Sequence, residues 1–252
     1  MSKQLYILTG ASRGMGLAMA QQLLRAGHGL VCISRHASAE LAQIARDADA
    51  TLAQWTLDLA DGETASERLR GWLKNQPPGQ WQQATLINNA AAMPRIAPLA
   101  QSHAHELATV LRVGLEAPMQ LTAAFLGATE TWGVPRRVLN ISSGLGRRAM
   151  AAQSPYCAIK AGMDHFTRCL AEEEALKPHG AKVCSLAPGV IDTDMQVQLR
   201  GADAQAFPDQ PRFAQLKERG LLSSPEAAAA SVLAYLNRAD FGSQPVADVR
   251  ES

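Results

Sequence analysis

The stretch from Leu5 to Leu24 constrains the fold more than any other. Leu5-Tyr6-Ile7-Leu8 is a short apolar run that reads as a strand, and Leu17 to Leu24 carries apolar residues at helical spacing. Between them, Thr9-Gly10-Ala11-Ser12-Arg13-Gly14-Met15-Gly16 is a turn punctuated by glycines. Strand, glycine turn and helix in that order open a parallel sheet that binds dinucleotides. Glycines at 10, 14 and 16 permit a tight turn, close approach of backbone to a pyrophosphate, and close packing of helix on strand. The helix N-terminus offers unpaired N–H groups to anionic oxygens. The spacing is Gly-x-x-x-Gly-x-Gly, where other dinucleotide folds have Gly-x-Gly-x-x-Gly.

The rest of the chain continues the alternation. Gly29 to Ser34, Leu52 to Leu57, Ala84 to Ile87, Arg137 to Ile141 and Ala181 to Leu186 read as strands, and Gln244 to Val249 as a last edge strand. Helices are predicted over Ala39 to Asp47, Glu63 to Asn75, His103 to Glu130 with a kink at Pro118, Pro155 to Leu176, and from Pro225 to about Asn237. Pro77-Pro78-Gly79 stops the helix from Glu63 to Asn75, and Ser223-Ser224-Pro225-Glu226 carries a hydroxyl cap, a first-turn proline and a capping-box glutamate. Asp194 to Leu222 is less regular, interrupted by Gly201, Pro208 and Pro211, and suits a mobile substrate lid. Strands alternating with helices imply a doubly wound α/β fold of about seven parallel strands with right-handed crossovers. A chain of 252 residues with 47% apolar content can bury one such core, so residues 1–252 are expected to form a single domain.

A formal charge of +1 gives no electrostatic footprint for nucleic acid or an acidic membrane surface. No apolar run approaches the ~20 residues that span a bilayer, and no basic leader precedes the first strand, so a cytoplasmic protein is expected. Cysteines at 32, 157, 169 and 184 lack zinc spacing and are expected to be thiols. His103 and His105, two residues apart on a predicted helix, fall on different faces and make no metal site.

Chemistry concentrates later in the chain. Tyr156 and Lys160 stand at i and i+4, so on a helix their side chains leave the same face one turn apart. A nearby ammonium favours a tyrosinate, so Lys160 is expected to lower the pKa of Tyr156 from its usual value of about 10. Ser143 follows the apolar run Val138-Leu139-Asn140-Ile141, at the C-terminal end of a strand, where open α/β sheets place ligands.

Taken together, Thr9 to Gly16, Asn88-Asn89-Ala90, Ser143, Tyr156 with Lys160, and Pro188-Gly189 resemble, in order and distance, the short-chain dehydrogenase/reductase pattern. The resemblance covers essentially the whole chain. It implies a catalytic set of Ser143, Tyr156 and Lys160, and no metal. It implies cofactor contacts from Gly10, Ser12, Arg13, Gly14, Met15 and Gly16 in the first turn, from Ser34 and Arg35, and from Asp58 and Leu59. Asn89, Ala90, Tyr156 and Lys160, and the later Pro188, Gly189, Val190, Ile191 and Thr193, complete the implied cofactor set. The second strand ends Ser34-Arg35-His36 with no acid, whereas folds selecting NAD place an acidic residue about twenty positions beyond the glycines. Arg35 with Arg13 could instead flank a 2′-phosphate, so the expected cofactor is NADP(H).

The C-terminal run, with Leu221-Leu222-Ser223-Ser224-Pro225-Glu226, Phe241-Gly242 and Asp248-Val249-Arg250, is similar to the sepiapterin reductase and benzil reductase branch. That implies a carbonyl reductase acting on a small ketone or dicarbonyl, in a pocket shaped by Ala92, Met93, Leu145 and Val190. It also implies a homodimer or homotetramer pairing through about 103–130 and 155–176. Two positions depart from the family pattern. Ala91 replaces a glycine after Asn-Asn-Ala, a small change. Gly114 stands where the family has an asparagine that anchors a water beside the lysine, and suggests space for water or a bend. The missing asparagine motivates a rival reading, a catalytically silent NADPH-sensing regulator.

Overall fold

In the computed structural model, which describes residues 3–77 and 79–251, the first unit forms as its pattern dictates. Leu5–Thr9 is strand β1 and Gly14–Arg25 helix α1. The chain continues through β2 (Gly29–Ser34), α2 (Ala39–Asp47), β3 (Leu52–Thr56), α3 (Gly62–Lys74) and β4 (Ala84–Asn88). Beyond these lie α4 (Ala104–Leu111), α5 (Ala117–Thr129), β5 (Arg136–Ile141), α6 (Ser154–Ala175) and β6 (Lys182–Ala187). The last elements are α7 (Asp194–Arg200), α8 (Gln210–Glu218), α9 (Pro225–Leu236) and β7 (Val246–Asp248). Pro78, expected to help stop α3, lies outside the described residues; α3 ends at Lys74 with Asn75 as its C-cap.

Among the described residues the strands form one parallel seven-stranded sheet, in the order β3-β2-β1-β4-β5-β6-β7. The order reverses between β1 and β4, and such a switch point opens a crevice at the C-terminal strand ends. Register fixes what meets there: Leu8 lies opposite Ile87, so the turn after Thr9 faces Asn89 and Ala90.

Alternation along β1 builds two apolar layers. Tyr6 and Leu8 pack with Met19, Leu23 and Val232 on the face covered by α1 and α9. Leu5 and Ile7 point the other way, against Leu69, Leu121 and Phe125 of α3 and α5. Phe125 is completely buried, and truncating such a ring to alanine costs about 3–5 kcal/mol.

Tertiary packing bears on three expectations. The stretch 103–130 is one helical path whose break, expected at Pro118, is a π-helical turn at Arg112–Glu116 that ends just before the proline. Pro118 has no N–H to meet the Gly114 carbonyl one turn earlier, so the irregularity falls in the turn just before the proline, around Gly114. The stretch 194–222 contains two helices, α7 and α8, whose Phe213 packs with Leu199 and the nearby Phe207. At α9, the Ser224 hydroxyl accepts from the Ala227 N–H at 3.1 Å, so Glu226 stands one position too early to close a capping box.

Candidate active site

The glycine turn and Asn89 build the floor of the site together. Gly10 and Gly14 have φ of +72° and +55°, the left-handed region that favours glycine. A β-carbon on Gly16 would lie 2.1 Å from the Gly10 carbonyl oxygen, so glycine there lets α1 close onto the turn. Above Gly14 the nearest atom to such a carbon is Thr193 Cγ2 at 3.6 Å, so that side stays open. Arg13 is the N-cap of α1 and makes no side-chain cap, which leaves the first N–H groups of the helix for a ligand. Asn89 Nδ2 donates to the carbonyl oxygens of Thr9 at 3.0 Å and Gly10 at 3.3 Å, while the N–H groups of Asn89 and Ala90 both donate to Thr9 Oγ1 at 2.9 Å. Beneath it, Asn88 Nδ2 donates to Asn140 Oδ1 at 2.9 Å, and Asn140 Nδ2 to Thr167 Oγ1 at 2.9 Å, tying β4, β5 and α6 into one polar core.

A cavity of about 870 Å³ runs from this turn to the catalytic candidates. Gly10, Ser12, Arg13, Gly14, Met15 and Gly16 line it, as do Ser34, Arg35, Asp58, Leu59, Asn89 and Ala90. So do Pro188, Gly189, Val190, Ile191 and Thr193, and Ser143, Tyr156 and Lys160. The structure thus brings every residue of the expected cofactor and catalytic sets onto one cavity. Arg35 is exposed and without a partner among the described residues. Arg13 is not free: its Nη1 lies 2.8 Å from Asp194 Oδ2, the first residue of α7. Asp58 Oδ1 accepts from the Ala60 N–H at 2.9 Å, and the cap of α3 is Asp61.

At the far end Tyr156 and Lys160 leave one face of α6, both buried. Ser143 stands beside Tyr156 on the cavity wall, where its Oγ accepts from the Leu145 N–H at 3.2 Å. Lys160 Nζ donates to the Ile141 carbonyl oxygen at 2.7 Å and lies 5.6 Å from the centre of the Tyr156 ring. The apolar wall is where it was expected, with Ala92, Met93, Leu145 and Val190 all lining the cavity.

Residues 4–204 match the family model for short chain dehydrogenase. The chain belongs to the short-chain dehydrogenase family. This dehydrogenase is 35% identical to a benzil reductase ((S)-benzoin forming) of Bacillus cereus, with 93% of this chain and 94% of that one covered. It is 30% identical to the sepiapterin reductase of Mus musculus over 94% of this chain and 93% of the other. Among solved structures, a short-chain dehydrogenase/reductase from Burkholderia vietnamiensis is 31% identical, superposes with a TM-score of 0.66, and is covered to 97% by 98% of this chain. The protein is therefore an oxidoreductase with a Rossmann-type fold.

The dehydrogenase's residues fit a dinucleotide: positive-φ glycines, an uncapped helix start and an open side above Gly14 stand together on the cavity wall. Its electrostatics depart from expectation at Tyr156. Burial pushes the tyrosine up to about 12, only partly offset by the neighbouring Ser143 hydroxyl, so the expected lowering by Lys160 is not seen. Burial likewise pulls Lys160 down to about 8, against the opposing pull of the Asp164 carboxylate one turn further along α6. A partly neutral ammonium cannot stabilise a tyrosinate strongly, and desolvation disfavours both charges. Asp164, itself buried, accepts from Ser142 Oγ at 2.5 Å and Ser185 Oγ at 2.7 Å, with Arg147 Nε 3.8 Å from its other oxygen.

The two departures in sequence resolve differently. Ala91 needs no left-handed backbone and is tolerated without strain. Gly114 is buried, and a β-carbon on it would lie 2.4 Å from Ile159 Cδ1, so the flank expected to hold water is filled by a side chain. The expected bend is present as the π-helical turn. His103 is the N-cap of α4, outside the helix proper, so its ring stacks on His105 at 5.7 Å where separate faces were expected. Sequence reasoning missed Gln153 and Gln196 on the cavity wall, and Arg148 and Arg212 near its mouth. Gln153 could have been flagged by its place directly before the Ser154-Pro155 helix start; Gln196 carries no sequence signal of its own.

Proposed function

We propose that this dehydrogenase reduces the carbonyl of a small ketone or dicarbonyl with NADPH. The observation that carries the reading is the buried Tyr156, with Ser143 and Lys160 beside it at the end of a cavity that begins at the glycine turn. NADPH bound along that cavity would supply a hydride to the substrate's carbonyl carbon. The Ser143 hydroxyl would hold the carbonyl oxygen, and the Tyr156 hydroxyl would give it a proton, completing the alcohol. A tyrosine held near 12 keeps its proton at neutral pH, which suits an acid in reduction more than a base in oxidation. Lys160, tethered through one N–H to Ile141, has donors left for the cofactor's ribose. Arg35, with Arg13 once released from Asp194, would grip the 2′-phosphate. Resemblance to benzil reductase supports a dicarbonyl substrate, and the apolar wall of Ala92, Met93 and Leu145 suits one. We further propose that 194–222 acts as a substrate lid and that the protein works as a cytoplasmic homodimer or homotetramer. No helix among the described residues is long and apolar enough to cross a membrane.

The test is NADPH oxidation in the presence of benzil and a panel of ketones, with Tyr156→Phe as control. Removing a positioned acid lowers kcat by about 10²–10⁴-fold. Firm NADPH binding with no oxidation of any substrate, and no effect of Tyr156→Phe, would instead indicate a sensing role.

A further inference from the structure

Two adjacent residues at the end of β5 hold two residues one turn apart on α6. The Ile141 carbonyl oxygen accepts from Lys160 Nζ at 2.7 Å, and Ser142 Oγ donates to Asp164 Oδ1 at 2.5 Å. Ser185 of β6 donates to the same oxygen at 2.7 Å, so Asp164 ties β5, β6 and α6 together directly before Ser143. The segment after Ser143 lies against it as well: a β-carbon on Gly146 would lie 2.7 Å from Asp164 Oδ2 and 2.9 Å from the Lys160 carbonyl oxygen. Asp164 is buried and stands behind the cavity wall, outside the residues that line it.

Holding two hydroxyls needs one acceptor oxygen, which an asparagine would supply without burying a charge. What the carboxylate adds is its charge, and its second oxygen is buried with no hydrogen-bond donor among the described residues. Arg147 Nε, 3.8 Å from that oxygen, is too far for a hydrogen bond, and Arg147 Nη2 donates to the Ala247 carbonyl oxygen at 3.2 Å. The other cation is Lys160, one turn back on α6 and 3% exposed. Burial by itself favours the neutral amine; the Asp164 carboxylate opposes it, and the lysine is left at about 8. The other groups packed here add no charge at neutral pH. Tyr156 is held near 12, Cys184 of β6 beside Asp164 is raised to about 12 by burial, and the π-helical turn meets α6 through Gly114 and Leu115.

Resting on the carbonyl-reductase reading for the task of Lys160, we propose that Asp164 is a positioning residue for the reaction. It fixes the end of β5 that carries Ser143, and it is the counter-charge that keeps Lys160 an ammonium able to donate to a cofactor ribose. Gly114 brings no polar side chain to this helix and Ile159 fills its flank, so the charge on Lys160 is held from within α6. Arg147 competes with Lys160 for the same carboxylate and tempers its effect.

The test follows the Lys160 ammonium by ¹⁵N NMR against pH in the full chain, its resonance assigned by its loss in Lys160→Met. The parent should titrate near 8. Asp164→Asn keeps an acceptor for both serines and removes only the charge, so the midpoint should fall by about one pH unit or more. Arg147→Gln removes the competing cation and should move the midpoint upward. A carboxylate with a purely structural task would leave both midpoints in place, and that result overturns the proposal. Should Asp164→Asn not fold, Arg147→Gln decides alone: an upward move upholds the proposal, and a fixed or lower midpoint overturns it. NADPH oxidation is measured separately, and the alkaline limb of kcat should move with the lysine in each variant. A limb that stays fixed while the lysine moves overturns the positioning role. If the parent oxidises no NADPH with any ketone, the reductase reading fails, while the lysine midpoints still decide whether Asp164 holds the ammonium.

Discussion

Gly114 of the π-helical turn presses directly on Ile159 of α6: a β-carbon at 114 would lie 2.4 Å from Ile159 Cδ1. Ile159 is fully buried and immediately precedes Lys160, so glycine at 114 allows the helix bearing the catalytic candidates to approach at that height. Restoring the family's asparagine should therefore overpack the contact. Gly114→Asn is expected to destabilise by about 1–3 kcal/mol in urea unfolding and to lower turnover. The clashing atom is a terminal methyl, so adding Ile159→Val, which removes it, should return most of the loss. Additive effects of the two substitutions would contradict this contact.

Cofactor choice should follow the two arginines. NADPH is expected to bind at least about tenfold tighter than NADH, since a charge-assisted phosphate contact contributes about 1.5–3 kcal/mol. Arg35→Ala should erase most of the preference. Because Arg13 is engaged by Asp194, with side chains 69% and 70% exposed, that pair is worth no more than about 1 kcal/mol. Asp194→Asn should then strengthen NADPH binding slightly and leave NADH unchanged. Calorimetry giving equal affinities in the unmodified protein would defeat the assignment.

The pH dependence of stability reports on Lys160. Its folded value of about 8 lies below the ordinary 10.5, so between these values the unfolded chain binds more protons and stability gained from this group rises with pH. The charged group that faces it is Asp164, held by Ser142, Ser185 and Arg147, and the neutral Tyr156 ring lies beside it. Lys160→Met should be more stable than the parent at pH 7, with the difference shrinking as pH rises from about 8 to 10.5. Burial raises Cys32 and Cys184, which ordinarily titrate at 9.0, to about 12, an opposing trend common to both proteins that cancels in the comparison. Thermal melts with a difference constant across that window would refute the shift.

Assembly should involve the face of α4 and α5. Leu111 and Met119 remain 47% and 44% exposed there, apolar surface that a symmetric partner would cover. Light scattering at micromolar concentration should return a multiple of 26.9 kDa, and Leu111→Lys with Met119→Lys should shift it toward the monomer. A monomeric parent would exclude pairing under those conditions.

Much of the fold was legible because its signals are local. Alternating strands and helices need only their own periodicity, and residues 5–24 announce strand, turn and helix without help from the rest of the chain. Spacing alone placed Tyr156 and Lys160 on one face of α6. Less was legible between 103 and 130, where Pro118 signals a break but only the packing shows Gly114 of the π-helical turn set against Ile159, far along the chain. The segment 194–222 gave no regular pattern, since α7 and α8 are short and held by contacts such as Asp192 with Arg200 and Lys217.

What the sequence by itself determined was the sheet, the dinucleotide turn and the identity of the chemical groups, because these follow from backbone preferences and covalent spacing. Tertiary structure alone decided their state. It paired Arg13 with Asp194 across 181 positions, buried Gln153 and Gln196 with their oxygens unpaired, and filled the flank of Gly114. It also reversed the expected sign at Tyr156, because desolvation depends on everything packed around a side chain, whereas the i, i+4 spacing records a single neighbour.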